Sequence, residues 1–512
     1  MYDYNTLGLL TLSQDALGGY HRYDVTRTTN MQTVTDTTGL GRVTSYAYTR
    51  NNDRTSTFRI TFPTGTQNVR NVDANGVSTT TFSDGTVNTS TLVPDPTLGA
   101  QSLLANETTT TPGGRTRTIN VTRSVAQTSP TNPLSLTTLT ETTTDNGRVS
   151  TRAFTKSNRT WTGTSPASRV ATIQLDGQGR VIKSSTTGTL PIEMDYDSSG
   201  RLTRVDQPLS SSVTERFSNF AYDASSGYLD SQTNALTHVT SYENDAVGRV
   251  EHVLRADGSD TGFGYDAESR ISSVTPAQRS AHSLTYTPVD LPKDYIAPQV
   301  GASPTITTLD YDLDRALKNI TQPDGQQQTF VYDPSKGRLQ SATIPGAGNT
   351  TYGYDAQSRL QSVSNDAAQG SMTYGYDGSL VTAVTTTGTQ SVKDGSTTLW
   401  SGGLRGSVIY GYNNQHDVSS ISVQGAAGAP NGFAATIGRD NDDLVTSIAP
   451  TGGGSVPTIT LTRSPLDGHV VSSTQGAVTT EYAMDISTAA PGYGELQGIS
   501  NPVNGSEIYG VT

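Results

Sequence analysis

The sequence predicts an all-β protein of antiparallel hairpin repeats, each about 22 residues long, joined into one continuous ribbon. Three observations carry that prediction: a recurring Tyr-Asp pair, the turn chemistry that follows it, and a composition too poor in apolar residues for a deep core. Of 512 residues only 32% are hydrophobic, whereas ordinary globular chains are roughly 45–50% apolar with glycine counted. Charged residues are 16%, and 24 tyrosines among abundant Thr and Val favour strands over coil. Such a mixture suits thin sheets with one buried face.

Tyr-Asp pairs begin at Tyr196, Tyr222, Tyr265, Tyr311, Tyr332, Tyr354 and Tyr376, followed by Asp197, Asp223, Asp266, Asp312, Asp333, Asp355 and Asp377. Degenerate copies are read at Tyr242-Glu243 and Tyr286-Thr287, so that successive spacings are 26, 20, 23, 21, 25, 21, 22 and 22 residues. Leu175-Asp176 extends the series backwards. The residues after each pair spell a reversal. Asp is a favoured first residue of a type I turn, and Gly200 or Gly337 at its end accepts positive φ in a G1-bulge hairpin. Ser269 and Ser358 occupy that place less comfortably. Arg follows at Arg201, Arg249, Arg270, Arg338 and Arg359 and is expected to pair with carboxylates of adjacent repeats.

Short alternating stretches on either side, such as 329–332 and 338–342, read as strands with one buried face. The return connection, as at Gln322-Pro323-Asp324-Gly325, is expected to be looser. A parallel β-helix repeats at a similar period, but its rungs do not turn back on themselves, so the reversal favours hairpins. Three zones follow: degenerate Thr-rich repeats over 1–174, well-formed repeats over 175–376, and degenerate repeats over 377–512 with an interruption near 378–409. In the outer zones Gly41-Arg42, Asp73 to Val77, Asp145 to Val149, Tyr412-Asn413 and Arg439-Asp440 keep the turn in worn form.

The motifs resemble the YD-repeat, or Rhs-repeat, family, specifically over 175–376 and more weakly over most of the rest. The resemblance implies a ribbon that spirals into a hollow shell, as in polymorphic toxins, toxin-complex cocoons, wall-associated bacterial proteins and teneurins. It implies a non-catalytic wall segment of a secreted or cell-surface protein, bacterial in origin, that encloses or displays a cargo such as a toxin domain. The partners implied are the remaining shell and its cargo, on this chain or another. Toxin-bearing relatives close the shell with an Asp-Pro-x-Gly segment; Asp95-Pro96 and Asp333-Pro334 both lack the glycine, so the toxin is expected on another chain or removed. The alternative function is an extracellular adhesin whose outer sheet surface binds glycans or cell-surface proteins.

Net charge of -12, from 34 basic and 46 acidic residues, opposes nucleic acid and anionic membrane as partners. Cysteine is absent, and no stretch approaches 18 apolar residues. No signal peptide follows Met1, which fits either a cytoplasmic chain or one cut from something longer. Six scattered histidines show no metal or triad spacing, and no phosphate-loop or nucleophile-elbow string occurs, so no cofactor or catalytic residue is assigned. Asp310, Asp312 and Asp314 have the opening rhythm of a calcium loop, yet Arg315 stands where that loop needs glycine. The run Asp440 to Asp443 reads as a solvated turn. The repeated tyrosines are weighed as structural rather than ligand-binding. At about two strands per 22 residues the ribbon makes a curved, hollow wall too small for a complete capsule.

Overall fold

The computed structural model describes residues 1–512 apart from 131, 208–215, 300, 302–304, 369, 395–396, 404–405, 426–432, 452–455, 485–495, 502–505 and 511–512. The described residues form 44 strands and one short 3-10 turn, Pro133–Ser135. Each strand pairs antiparallel with the next in sequence, with one exception, so the chain is a single up-and-down ribbon from end to end. The Thr-rich stretches are part of it, as Gly99–Thr110 and Thr116–Gln127.

The exception lies in the interruption. Strand Leu380–Asp394 pairs through its first half with Gly406–Tyr412 and through its second half with Thr397–Gly403. A hairpin thus grows out of the ribbon, and the chain rejoins where it left.

The hairpins have the expected bulged turns. At 197–201 the Gly200 N–H donates to Asp197 O at 3.0 Å and the Asp197 N–H to Arg201 O at 2.9 Å, with a register shift between Asp195 and Tyr196. Gly200 has φ 84°, where a side chain is strained; Ser269 and Ser358 take the same place at 66° and 69°. The return connection at Gln322 to Gln326 is not looser. It closes with bonds of 2.8 and 2.9 Å, because Pro323 presets the first turn position and Gly325 has φ 83°. The ribbon therefore has two tightly turned edges: a Tyr-Asp edge and an opposite edge.

Its interior is thin. Buried apolar side chains among the described residues are few, namely Leu104, Leu190, Val289, Ala342 and Ala435. The accessible surface is 29266 Å² for 54.0 kDa, against about 18,000 Å² for a solid globule of that mass. Most of the wall is one sheet thick, with water reaching both faces.

The ribbon meets itself. Turns separated by 262 to 300 residues are bonded side chain to side chain or side chain to main chain, from Arg115 with Asp377 to Arg315 with Asp15. The turn at Thr38 follows the fourth strand and that at Asp314 follows the twenty-seventh, so one winding takes 23 strands. At ~4.8 Å per strand the perimeter is on the order of 110 Å. In every such contact the opposite edge of the first winding meets the Tyr-Asp edge of the second.

Candidate functional site

Two sets of turn residues organise the wall. In the first, each turn satisfies itself and then grips the next repeat. Asp197 accepts from the Ser199 and Arg201 N–H groups at 2.9 Å each, and its other oxygen accepts from Arg201 Nε at 2.8 Å. The N–H of Arg201, joined by its side chain, holds the Asp197 carboxyl below the usual carboxylate range. The guanidinium so fixed covers the ring of Tyr222 at 4.5 Å, and the Tyr222 hydroxyl donates to Leu202 O at 2.8 Å. Asp, Arg and the following Tyr thus form one chain of contacts between repeats.

The same arrangement recurs with Asp176, Arg180 and Tyr196, with Asp245, Arg249 and Tyr265, with Asp266, Arg270 and Tyr286, and with Asp355, Arg359 and Tyr376. The arginines were expected to reach neighbouring repeats' carboxylates; they pair chiefly with their own turn's Asp, because a five-residue turn places the fork directly on it. Arg270 reaches further as well, to Asp290 at 2.5 Å. In the six-residue turns at Asp223 and Asp333 the carboxylate is instead taken by Ser225 and Ser226, or by Ser335 and Lys336. The Ser225 hydroxyl and its neighbours hold Asp223 well below the carboxylate range. After Gly337, at φ 74°, Arg338 still covers Tyr354 at 4.4 Å.

Tyr311 donates to Pro292 O at 2.9 Å, and Asp312 caps its own turn through the Asp314 and Ala316 N–H groups. Tyr332 ends its strand beside Asp333, and burial raises its hydroxyl pKa.

One repeat turn lies two residues beyond the Tyr242-Glu243 pair that suggests it. The turn is not at Tyr242-Glu243 but at Asn244-Asp245, where Gly248 and Arg249 complete it; Asn244 Nδ2 donates to Leu229 O at 2.9 Å in place of the tyrosine hydroxyl. Further on, Arg439 and Arg463 stand at the tyrosine position and donate to Val418 O and Val445 O. What the position requires is a donor long enough to reach that carbonyl.

The second set joins the windings, and it has one geometry used three times. Thr38 Oγ1 donates to Asp314 Oδ2 at 2.7 Å, the Leu40 N–H to Oδ1 at 3.2 Å, and Arg42 Nη1 to Oδ2 at 2.8 Å. Thr111 Oγ1, the Gly113 N–H and Arg115 Nη1 hold Asp377 in the same way, the first two at 2.8 and 2.5 Å. Ser165 Oγ, the Ala167 N–H and Arg169 Nη1 hold Asp442, the first two at 2.7 and 2.8 Å, and Arg169 Nη2 adds Asp440 at 2.7 Å. A Cβ at Gly113 would lie 2.5 Å from Asp377 Oδ2, so the carboxylate takes the space a side chain would need.

The sequence explains these clamps. Each receiving turn stands on the opposite edge but has the five-residue form and final Arg of a Tyr-Asp turn, with Thr or Ser at its first position, so the Arg has no carboxylate within the turn and can take one from outside. The donor turns at Asp314 and Asp442 carry Ala316 and Leu444 where an arginine would claim the acid. The clamps are largely sheltered, with Arg42 and Asp314 each 10% exposed. Arg148 with Asp443, and Asn146 Nδ2 with Asn414 O at 3.0 Å, continue the seam. Burial pushes the Asp377 carboxyl up, but the Gly113 N–H, Thr111 and Arg115 hold it below its ordinary value.

One reading is corrected here. Asp440 to Asp443 is not a solvated turn but a seam acceptor. Asp314 of the Asp310 to Asp314 run is likewise engaged, by Arg42. Among the described residues no group of three His, Asp or Glu side chains could hold a metal ion, and no helix is long and apolar enough to cross a membrane. His21, His252 and His469 each lie against a single aspartate, Asp36, Asp260 and Asp467.

A one-layer antiparallel ribbon, wound on itself and stitched through its Tyr-Asp and Thr/Ser-Arg turns, defines a structural β-shell. The chain belongs to the teneurin YD-shell family, whose model matches residues 1–426. Among solved structures, that of TcdB2-TccC3-TEV is similar with a TM-score of 0.53 at 14% identity, over 94% of this chain and 30% of that one. That of TcdB2-TccC3 without its hypervariable C-terminal region has a TM-score of 0.47 at 14% identity, over 94% and 32%. The chain thus spans about a third of the solved chains it matches, and the likeness is one of fold. Comparison with curated proteins found no match.

Proposed function

We propose that the chain is a non-catalytic wall segment of a hollow shell that encloses a polypeptide cargo, such as a toxin domain, in a secreted or cell-surface assembly. The observation that carries this is the closure of a core-poor ribbon on itself through dedicated clamps, which encloses space rather than filling it. A round perimeter near 110 Å has a radius of about 18 Å, of which inward side chains take roughly 5 Å. The remaining ~13 Å is less than the outer radius, about 17 Å, of a compact 100-residue domain whose radius of gyration is ~13 Å, so a cargo within this winding is smaller than that or incompletely folded. The Tyr, Asp, Gly and Arg positions of the repeats are structural in this reading, and the three sequence zones are parts of one wall. The remaining shell and the cargo lie on this polypeptide's own longer form or on another chain.

Small-angle scattering tests the reading. A hollow wall of about 18 Å radius should give a pair-distance distribution shifted towards the wall diameter, with low density at its centre. The symmetric distribution of a solid globule overturns it. Specific retention of a glycan by the empty wall, with no cargo found inside the assembled protein, would replace encapsulation by adhesion.

A further inference from the structure

Most arginines described above meet an acid, a ring or a carbonyl. Three that do not share one place. Strands Tyr20–Arg27, Met31–Thr38 and Val43–Arg50 lie side by side, and their register sets Arg27 opposite Gln32 and Gln32 opposite Tyr48. Strand alternation puts Arg50 on the face of Tyr48. The turn that follows adds Arg54, at φ 68°. Together they line a cleft of about 500 Å³ with Asn30, Asn52 and neighbouring residues, and no carboxylate lines it. Asp53, in the same turn, is already taken by the Thr55 N–H and hydroxyl at 3.0 and 2.7 Å. Arg27, Arg50 and Arg54 have no ion-pair partner among the described residues.

We propose that this cleft is a docking site for an acidic hairpin turn of a partner protein. Its place supports that occupant. The cleft lies on the Tyr-Asp edge of the first winding, and among the described residues no later winding bonds to it. Where the same edge of the second winding is covered, the bonds are arginine on aspartate between turns, at Asp314, Asp377, Asp442 and Asp443. The cleft offers three guanidiniums and no carboxylate lines it, so the complementary surface is a turn bearing carboxylates. Three unmatched cations in a chain of net charge -12 repel one another until such a group arrives, and Arg forks bind carboxylates in pairs of parallel hydrogen bonds. The proposal rests on the shell reading, since a further wall or a cap would sit on this edge.

The test uses the full chain and a cyclised peptide copying residues 436–448, which carries Asp440, Asp442 and Asp443, followed by fluorescence anisotropy at low salt. Saturable binding is expected, about tenfold weaker in an Arg27→Ala/Arg54→Ala variant and with a peptide whose aspartates are asparagine. An Arg59→Ala variant is the control and should bind as the parent does. Equal binding by the double variant, no binding, or saturation by inorganic phosphate or a sulfated sugar without any response to the peptide would overturn the proposal. Melting curves check that the variants are folded. A hollow scattering profile alongside any of these results would leave the shell reading standing and this inference refuted.

Discussion

The Tyr-Asp turns of 175–376 and the opposite-edge turns at Thr38, Thr111 and Ser165 share a five-residue form, yet they do different work. In the first group Asp and Arg neutralise each other inside the turn, as Asp197 and Arg201 do, and the guanidinium is spent on the next tyrosine. In the second group Thr38, Thr111 and Ser165 stand at the first position, and the arginine reaches a winding more than 260 residues away. A first turn residue without a carboxylate is what leaves the arginine free for the seam.

That comparison can be broken most sharply at a clamp. Asp377→Ala removes the acceptor of three donors in a site where the acid is 8% exposed, and should cost about 2–3 kcal/mol in denaturant unfolding. Arg201→Ala, which disturbs a self-contained turn, should shift the melting temperature far less. Equal losses would mean that the two kinds of turn are not distinct. Acid probes the same site. Because Asp377 and Asp440 have folded pKa values below their ordinary ones, their stabilisation is complete above the unfolded carboxylate value and is lost as pH falls through the folded one. The seam should therefore hold at neutrality and weaken below about pH 4, visible as expansion in scattering before the strand signal melts.

Smaller effects sharpen the picture within the sound repeats. Gly200→Val forces a β-branched side chain to φ 84° and should cost roughly 1–2 kcal/mol, whereas Ser199→Ala should leave the thermal midpoint unchanged. Tyr222→Phe deletes the hydroxyl bonded to Leu202 O while keeping the ring under Arg201, and should cost about 1 kcal/mol. The smallest change expected is from Asp197→Thr. It makes a receiving turn where this chain presents no acid, so stability should move little while affinity for acidic peptides rises; an unchanged affinity would show that the Thr/Ser substitution alone does not make a receptor.

Much of the wall was legible in the sequence because the repeat is local. Asp, a Gly or Ser at positive φ, and Arg within five residues specify a bulged turn, and alternation specifies the strands. The misplacement at Tyr242 arose from following the aromatic residue instead of the turn; Asp245, Gly248 and Arg249 carried the stronger signal. The seam was harder because its partners are set by the number of strands in a winding, which no local pattern encodes. Its chemistry left a trace all the same: Thr or Ser at the first turn position with Arg at the last, and Asp314 or Asp442 in turns that lack the Arg. The run Asp440 to Asp443 resembles a solvated turn because a run of acids is ordinarily a surface feature, and the arginine that covers it is 271 residues distant. The Arg27 cleft draws on three strands and a turn, and its signal is an absence of acids that is evident once the register is known.

Twenty-three strands between contacting turns is a matter of parity. Successive turns alternate between the two edges, and a ribbon wound as a spiral can bring together only unlike edges, so the count from one clamp partner to the other must be odd. Lengthening the wall by a single strand would exchange the edges downstream and set clamp against clamp. Growth or loss within a winding is therefore restricted to strand pairs, which is to say whole repeats, and any other insertion has to leave the ribbon and return to it at the same edge. The hairpin made by Leu380–Asp394 and Thr397–Gly403 obeys that rule: the chain resumes the ladder at Gly406–Tyr412 with the Tyr-Asp edge still facing the winding it must meet. Length variation among proteins of this architecture should accordingly come in steps of about 22 residues or as outgrowths of this kind.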